Sequence, residues 1–313
     1  WPGIGQAVYR ALAERDYPIL QGAFLVLAAS VIVCNLLAAI ILIALLAPVI
    51  APAGPRAEAT SPGKVFAPPS SAHLLGTDDA GGDVLSELVY GARISLVVGF
   101  ASTLIAMLVG GLVGVLAGYF GGWVDTVLMR VTDYFLVLPD LALMIVLAAV
   151  FGPSLRNIIL VIGLLRWTST ARVVRSQVRS VRERTFVKRA RAMGAGDLYI
   201  LRRHVLPQVG TLLMANTVLT IAIAIFNETS LSFLGLGDPT AVSWGTMLHF
   251  AFSSAAISSG AWWFVVPPGV GVILVVLACS LLGQAIEDSL NPRLAVSHLA
   301  SRRLRLRRMA TTP

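Results

Sequence analysis

Long apolar runs separated by short polar connections dominate the chain. Six runs reach the ~20 residues that a membrane-spanning helix needs. They lie at roughly 23–50, 94–119, 124–150, 157–177, 209–229 and 262–286. Arg166, Thr168 and Thr170 interrupt the fourth. Between the first two runs, the outer segment carries PAGP, APPSS and GTDDAGGD, which read as loop and turn. The stretch VLSELVYGAR follows and puts Val84, Leu85, Leu88 and Val89 on one helical face. That predicts a short interfacial helix ahead of the second span. The pattern divides the chain into an N-terminal segment 1–22, a first spanning helix 23–50, an outer loop 51–92, a five-helix core 93–290 and a tail 291–313.

Composition agrees with this division. Of 313 residues, 57% are hydrophobic and 13% charged, against about 25% charged in a typical soluble domain. The net charge of +8 could suggest a nucleic-acid partner, but its distribution argues otherwise. Arg10, Arg15 and Arg130, ten basic residues from Arg172 to Arg203 and six from Arg293 to Arg308 fall on one side of a six-span arrangement. Arg56, Lys64, Arg93 and Arg156 fall on the other, with Arg166 in between. Basic residues accumulate on the cytoplasmic side of membrane proteins. An all-α integral membrane fold with both termini cytoplasmic therefore accounts for the charge, and no nucleic acid is needed. The basic tail SRRLRLRRM (301–309) is expected to lie on anionic membrane lipid. Cys34 and Cys279, far apart in apolar runs, read as buried thiols without a disulfide.

The stretch KRARAMGAGDLYILRRHVLP (188–207) stands out inside the core. A helix from Arg172 to Met193 is expected to carry the fourth span onward. Gly194-Ala195-Gly196 can end it, since glycine adopts positive φ without strain. Asp197 suits the N-cap of a second helix, Leu198–Leu206, which Pro207 would stop. Leu198, Leu201 and Val205 share a face, and Arg202 and Arg203 lie off it. A short helix cannot bury such a stripe alone. It fits a groove in a soluble partner, or it lies on the inner leaflet held by its arginines.

This stretch resembles the EAA signature of permease subunits of binding-protein-dependent ABC importers, which runs EAA, three residues, Gly, nine residues, an apolar residue, one residue, Leu-Pro. Ala190, Gly194, Leu206 and Pro207 match it. HLLGTDDAGGDVLSELVYGARISL (73–96), MRVTDYFLVLP (129–139), RWTSTARVVRSQV (166–178), NETSLSFLGLG (227–237) and LLGQAIEDSLNPRL (281–294) are similar to the C-type permeases of dipeptide, oligopeptide and nickel importers. The resemblance covers roughly residues 20–295. It implies a type I ABC importer permease fold in a bacterial inner membrane, passing di- or oligopeptides, nickel or another small solute. It also implies a homologous second permease, two ATP-binding subunits that hold ATP and Mg, and an extracytoplasmic substrate-binding protein. No cofactor is expected in this subunit. Residues 173–207 would then couple to an ATPase subunit through Lys188, Arg189, Ala190, Gly194, Asp197, Leu198, Leu201, Val205, Leu206 and Pro207. The chain departs from the signature at Lys188, where the family has Glu, and at Arg189, where it has Ala. An acidic partner for Lys188 is expected in the ATPase or the second permease.

Other chemistries find little support. Lys64 and Lys188, the only lysines, follow no G-x-x-x-x-G, so the chain has no phosphate-binding loop. It has no HExxH, and GTDDAGGD lacks the acidic spacing of a calcium loop. Gly235-Leu236-Gly237-Asp238 spells the GxGD of intramembrane aspartyl proteases, which need two carboxylates at one site. Asp133, Asp140, Arg166 and Glu228 would suit an ion-coupled transporter, but no inverted repeat accompanies them. Asp140, Arg166 and Glu228 are instead candidates for the translocation path. Counted inward from Phe151 and Arg156, Asp140 and Arg166 both lie about 15 Å deep, so the two are expected to face each other.

Overall fold

The computed structural model describes residues 17–51, 54 and 65–290. The 1–16 part of the N-terminal segment and the basic tail 291–313 lie outside the described residues, and so does their expected cytoplasmic placement. The elements are α1 (Tyr17–Leu45), α2 (Ala47–Ile50), α3 (Val84–Phe120), α4 (Gly122–Val137), α5 (Asp140–Phe151), α6 (Leu155–Arg182), α7 (Thr185–Ala192), α8 (Asp197–Ile200), a π-turn (Leu201–Val205), α9 (Leu206–Phe233), α10 (Trp244–Ser253) and α11 (Trp262–Leu290). Among the described residues there is no strand, only an isolated bridge between Thr77 and Asp83.

Three helices, Val84–Phe120, Leu155–Arg182 and Trp262–Ile286, are long and apolar enough to cross a membrane, and α4 with α5 makes a fourth if counted as one span. The third apolar run is thus not one rod, because α4 and α5 meet at 85°. Its cause is local. Leu138 precedes proline, is pushed out of the helical region and sits at φ −74°, ψ 136°.

α3 and α6 pack against each other along most of their length. Gly110, Gly114 and Gly118 of α3, one per turn, face Trp167–Thr170, Ala171–Val174 and Arg175–Val178 of α6. A Cβ added at Gly114 would lie 2.6 Å from the Ala171 carbonyl oxygen. Small residues at this spacing let helix backbones approach, the usual way to gain contact where lipid removes the hydrophobic drive.

No separate interfacial helix precedes the second span. VLSELVYGAR is the start of α3, capped by Asp83, whose side chain accepts from Ser86 N. Val84 and Val89 are both buried, and Val84 belongs to a core with Trp244, Phe264 and Ile225. Trp244 and Trp263 fix this far end of the bundle by donating to the carbonyls of Leu88 and Thr77. A second core, around Met144, Ile158 and Ile162, joins α5 to α6. A third, around Tyr119, Val174, Val178 and Val205, closes the basic end. Cys34 is exposed and only Cys279 is buried, so one of the two expected buried thiols is not buried. Both are free.

Candidate functional site

The basic connection folds differently from its sequence-based reading. α6 ends at Arg182 and turns at Glu183–Arg184, and α7 restarts at Thr185, so no unbroken helix runs to Met193. Gly194 does terminate α7, at φ +86°. Asp197 opens α8 but caps nothing, and Gly196 holds the N-cap position. The Asp197 carboxylate instead accepts the Tyr119 hydroxyl at 2.6 Å. Arg191 donates to the same hydroxyl at 3.2 Å and lies over the Tyr119 ring, 5.7 Å from its centroid. Arg182 donates to the Tyr119 carbonyl at 2.8 Å. One tyrosine at the last turn of α3 thus gathers α6, α7 and α8.

Pro207 does not stop the second helix. The chain stays helical from α8 through the π-turn into α9, with Pro207 in the first turn of α9. A π-turn adds a residue per turn, so the register slips where proline lacks its N–H. That slip dissolves the expected stripe. Val205 and Ile200 are fully buried in the basic-end core, and Leu201 packs against it. Leu198 at 63% and Tyr199 at 57% exposure face outward. Met193 is exposed as well, as are Arg202 and Arg203. His204 stacks between Phe186 and Tyr199. Ala190 is buried, whereas Arg189, Leu206 and Pro207 are exposed.

Lys188 finds its acid within the chain. Its Nζ lies 3.0 Å from Glu183 Oε2, five residues earlier. The ammonium holds the Glu183 carboxyl below its usual value of 4.5.

Three Arg–Asp pairs link α6 to the bent pair. Arg166 Nη1 donates to Asp140 Oδ2 at 2.9 Å, Arg172 pairs with Asp133, and Arg175 grips Asp125 through both Nε and Nη2. As the α6 number rises the aspartate number falls, so the pairs form an antiparallel ladder. Glu228 is not among them. It is 1% exposed and accepts from Ser95 Oγ at 3.1 Å and Ser232 Oγ at 2.8 Å, while Ser95 also accepts from Trp244 N. Its carboxyl is a node between α3, α9 and α10, not part of an open surface with Asp140 and Arg166. Asp238, the acid of the GxGD string, is engaged by Thr240 through its hydroxyl and N–H and by Leu155 N. Those donors, the Thr240 hydroxyl first, lower its pKa from 3.8. Among the described residues no group of three or more His, Cys, Asp or Glu could hold a metal ion.

Tyr119, Arg191 and Tyr199 escaped the sequence reading, as did the pairs below Arg166. Aspartates eight and seven residues apart across the third apolar run (Asp125, Asp133, Asp140), followed by arginines in the fourth, are the sequence signal for these pairs.

The fold defines a multi-pass helical membrane protein whose spans are tied by ion pairs and whose basic end carries a projecting helical connection. Residues 110–296 match the family described as "Binding-protein-dependent transport system inner membrane component", and the chain belongs to that family of non-catalytic permease subunits. Among curated relatives, the glutathione transport system permease protein GsiD of Pectobacterium atrosepticum is 38% identical over 72% of this chain and 74% of its own. The dipeptide transport system permease protein DppC of Alkalihalophilus pseudofirmus is 37% identical over 81% and 82%, and DppC of Bacillus subtilis 38% over 72% and 71%. The solved inward-facing MetNI methionine ABC transporter superposes with a TM-score of 0.49 at 18% identity, over 65% of this chain and 94% of that one. The family assignment rests on the sequence matches.

Proposed function

We propose that the chain is one of two permease subunits of an ATP-driven importer of di- or oligopeptides in a bacterial inner membrane. In this reading it crosses the membrane six times, with α1 and α9, 29 and 28 residues long, as spans beside α3, the α4–α5 pair, α6 and α11. Both termini and the basic end face the cytoplasm. Two partner subunits bind ATP and Mg and hydrolyse the nucleotide, and an extracytoplasmic binding protein delivers cargo.

One observation carries the reading. Leu198 and Tyr199 are exposed at the tip of a connection whose other side is locked into the core through Asp197, Tyr119 and Arg191. An apolar knob on a rigid mount suits the transmission of force from a soluble partner into α3, α6 and α9. Lys188, Arg189, Ala190, Gly194, Leu201, Val205, Leu206 and Pro207 shape and support that mount. Arg166 and Asp140, both partly accessible, are the residues we assign to the path, with Glu228 as an internal support.

Peptide cargo follows from the relatives' names and is tested separately. The complete transporter, reconstituted in liposomes with its binding protein, is expected to accumulate labelled di- or oligopeptides only with ATP. Accumulation of nickel but of no peptide would refute the cargo and leave the permease role standing.

A further inference from the structure

Between α1, α3 and α9 lies a groove of about 790 Å³. Ile41, Leu45, Phe100, Leu104 and Ile221 line it, and Arg93 is its one charged residue. Among the described residues no hydrogen bond or ion pair engages the Arg93 guanidinium. An arginine at the edge of a hydrocarbon face is costly unless its head reaches water or an anion.

The position of Arg93 along the bundle indicates which anion. The Tyr90 hydroxyl donates to the Ala51 carbonyl at 3.2 Å, so the end of the α1–α2 segment lies level with Tyr90. Arg93 is three residues farther along α3, about 4.5 Å deeper. That is the depth of the headgroup boundary if α1 crosses the bilayer. From Arg93 to Met107, the farthest lining residue of α3, the groove runs about 21 Å. One leaflet contributes about 15 Å of hydrocarbon. The groove therefore spans the depth of a leaflet, with a cation at its headgroup end and apolar walls below.

We propose that this groove is a phospholipid site, in which Arg93 holds the phosphate and an acyl chain lies along Phe100 and Leu104. The charge pattern favours lipid over a helix of another protein. A glycerophospholipid carries its phosphate at the top of an apolar chain by construction. A partner helix would need a carboxylate placed at that one level. The inference depends on the membrane placement of α1 and α3 and is independent of the cargo.

The test uses the complete transporter, purified in mild detergent and exchanged into lipid-free detergent, with bound lipid read by native mass spectrometry. The wild type is expected to retain phosphatidylethanolamine and phosphatidylglycerol alike, because both carry the phosphate. Arg93→Gln should lower retention about tenfold or more, while Arg93→Lys keeps most of it. Leu104→Trp, which fills the groove without touching Arg93, should lower it as well. Equal retention in the wild type, Arg93→Gln and Leu104→Trp would overturn the site. So would a photo-crosslinker at position 104 that joins the second permease, because protein would then occupy the groove. Retention of diacylglycerol in place of phospholipid would refute the phosphate contact.

Discussion

Arg166 on α6 donates to Asp140, the first residue of α5, and so clamps the point where α4 and α5 part at 85°. The Arg166 side chain is mostly buried and that of Asp140 about half exposed. Removing Asp140 strands the mostly buried Arg166 guanidinium. Asp140→Ala is expected to destabilise the complex by between about 1 and 3 kcal/mol, above an exposed pair and below a buried one. The exchange Arg166→Asp with Asp140→Arg should recover most of that loss. Thermal unfolding of the detergent-purified complex measures both. A charge exchange no better than the single variants would show that the pair is not what holds the bend. If stability returns while uptake stays impaired, the arginine also has a role in the path.

The glycine column of α3 gives a sharper contrast. Gly114→Leu must force α3 and α6 apart, since even a Cβ meets the Ala171 carbonyl. Overpacking costs about 1–3 kcal/mol or more in a well-packed core. Gly111→Ala, three residues away on the open face, has nothing within 4 Å. Fluorescence-detected size exclusion should show Gly114→Leu aggregated and Gly111→Ala like the wild type. Equal profiles for the two variants would contradict the close approach of these helices.

Asp238 makes the far-end loop sensitive to acid. Its pKa is lowered by the Thr240 hydroxyl, so its contribution is complete above the ordinary value of 3.8 and is lost as pH falls through the depressed one. Asp238→Asn should therefore be less stable than the wild type at neutral pH. The gap should close in strong acid. A gap that widened on acidification would reverse the assignment. Activity surviving in this variant would also remove any protease role for the GxGD string.

Much of the scaffold was legible in the sequence, but its faces were not. Hydropathy located the runs that became α3, α6 and α11, because lipid and protein interior select the same side chains. For that reason it could not say which side of a helix meets protein. The i, i+4 glycines 110, 114 and 118 carried that information and went unread. Proline before Asp140 marked the break in the third run, which hydropathy averaged away. In the basic connection, helical periodicity assumed 3.6 residues per turn. The π-turn at Leu201–Val205 broke that assumption, burying Val205 and leaving Leu198 and Tyr199 outside. The partner of Lys188 proved to be local, since a turn at Glu183–Arg184 folds Glu183 back on it. Glu228 was visible as an intramembrane acid, but only the assembled helices reveal that serines surround it.

The Leu198–Tyr199 knob is expected to dock on an ATPase subunit. Co-purification of that subunit with the tagged chain measures this docking for the wild type, Leu198→Asp and Tyr199→Asp. Both side chains are exposed, so the variants should insert and run as folded protein on size exclusion. Charge placed against an apolar groove should nevertheless weaken docking by several kcal/mol and leave the ATPase subunit behind, with ATP-driven uptake lost. Variants that bring down the ATPase subunit in wild-type amounts and transport at the wild-type rate would rule out docking through this knob.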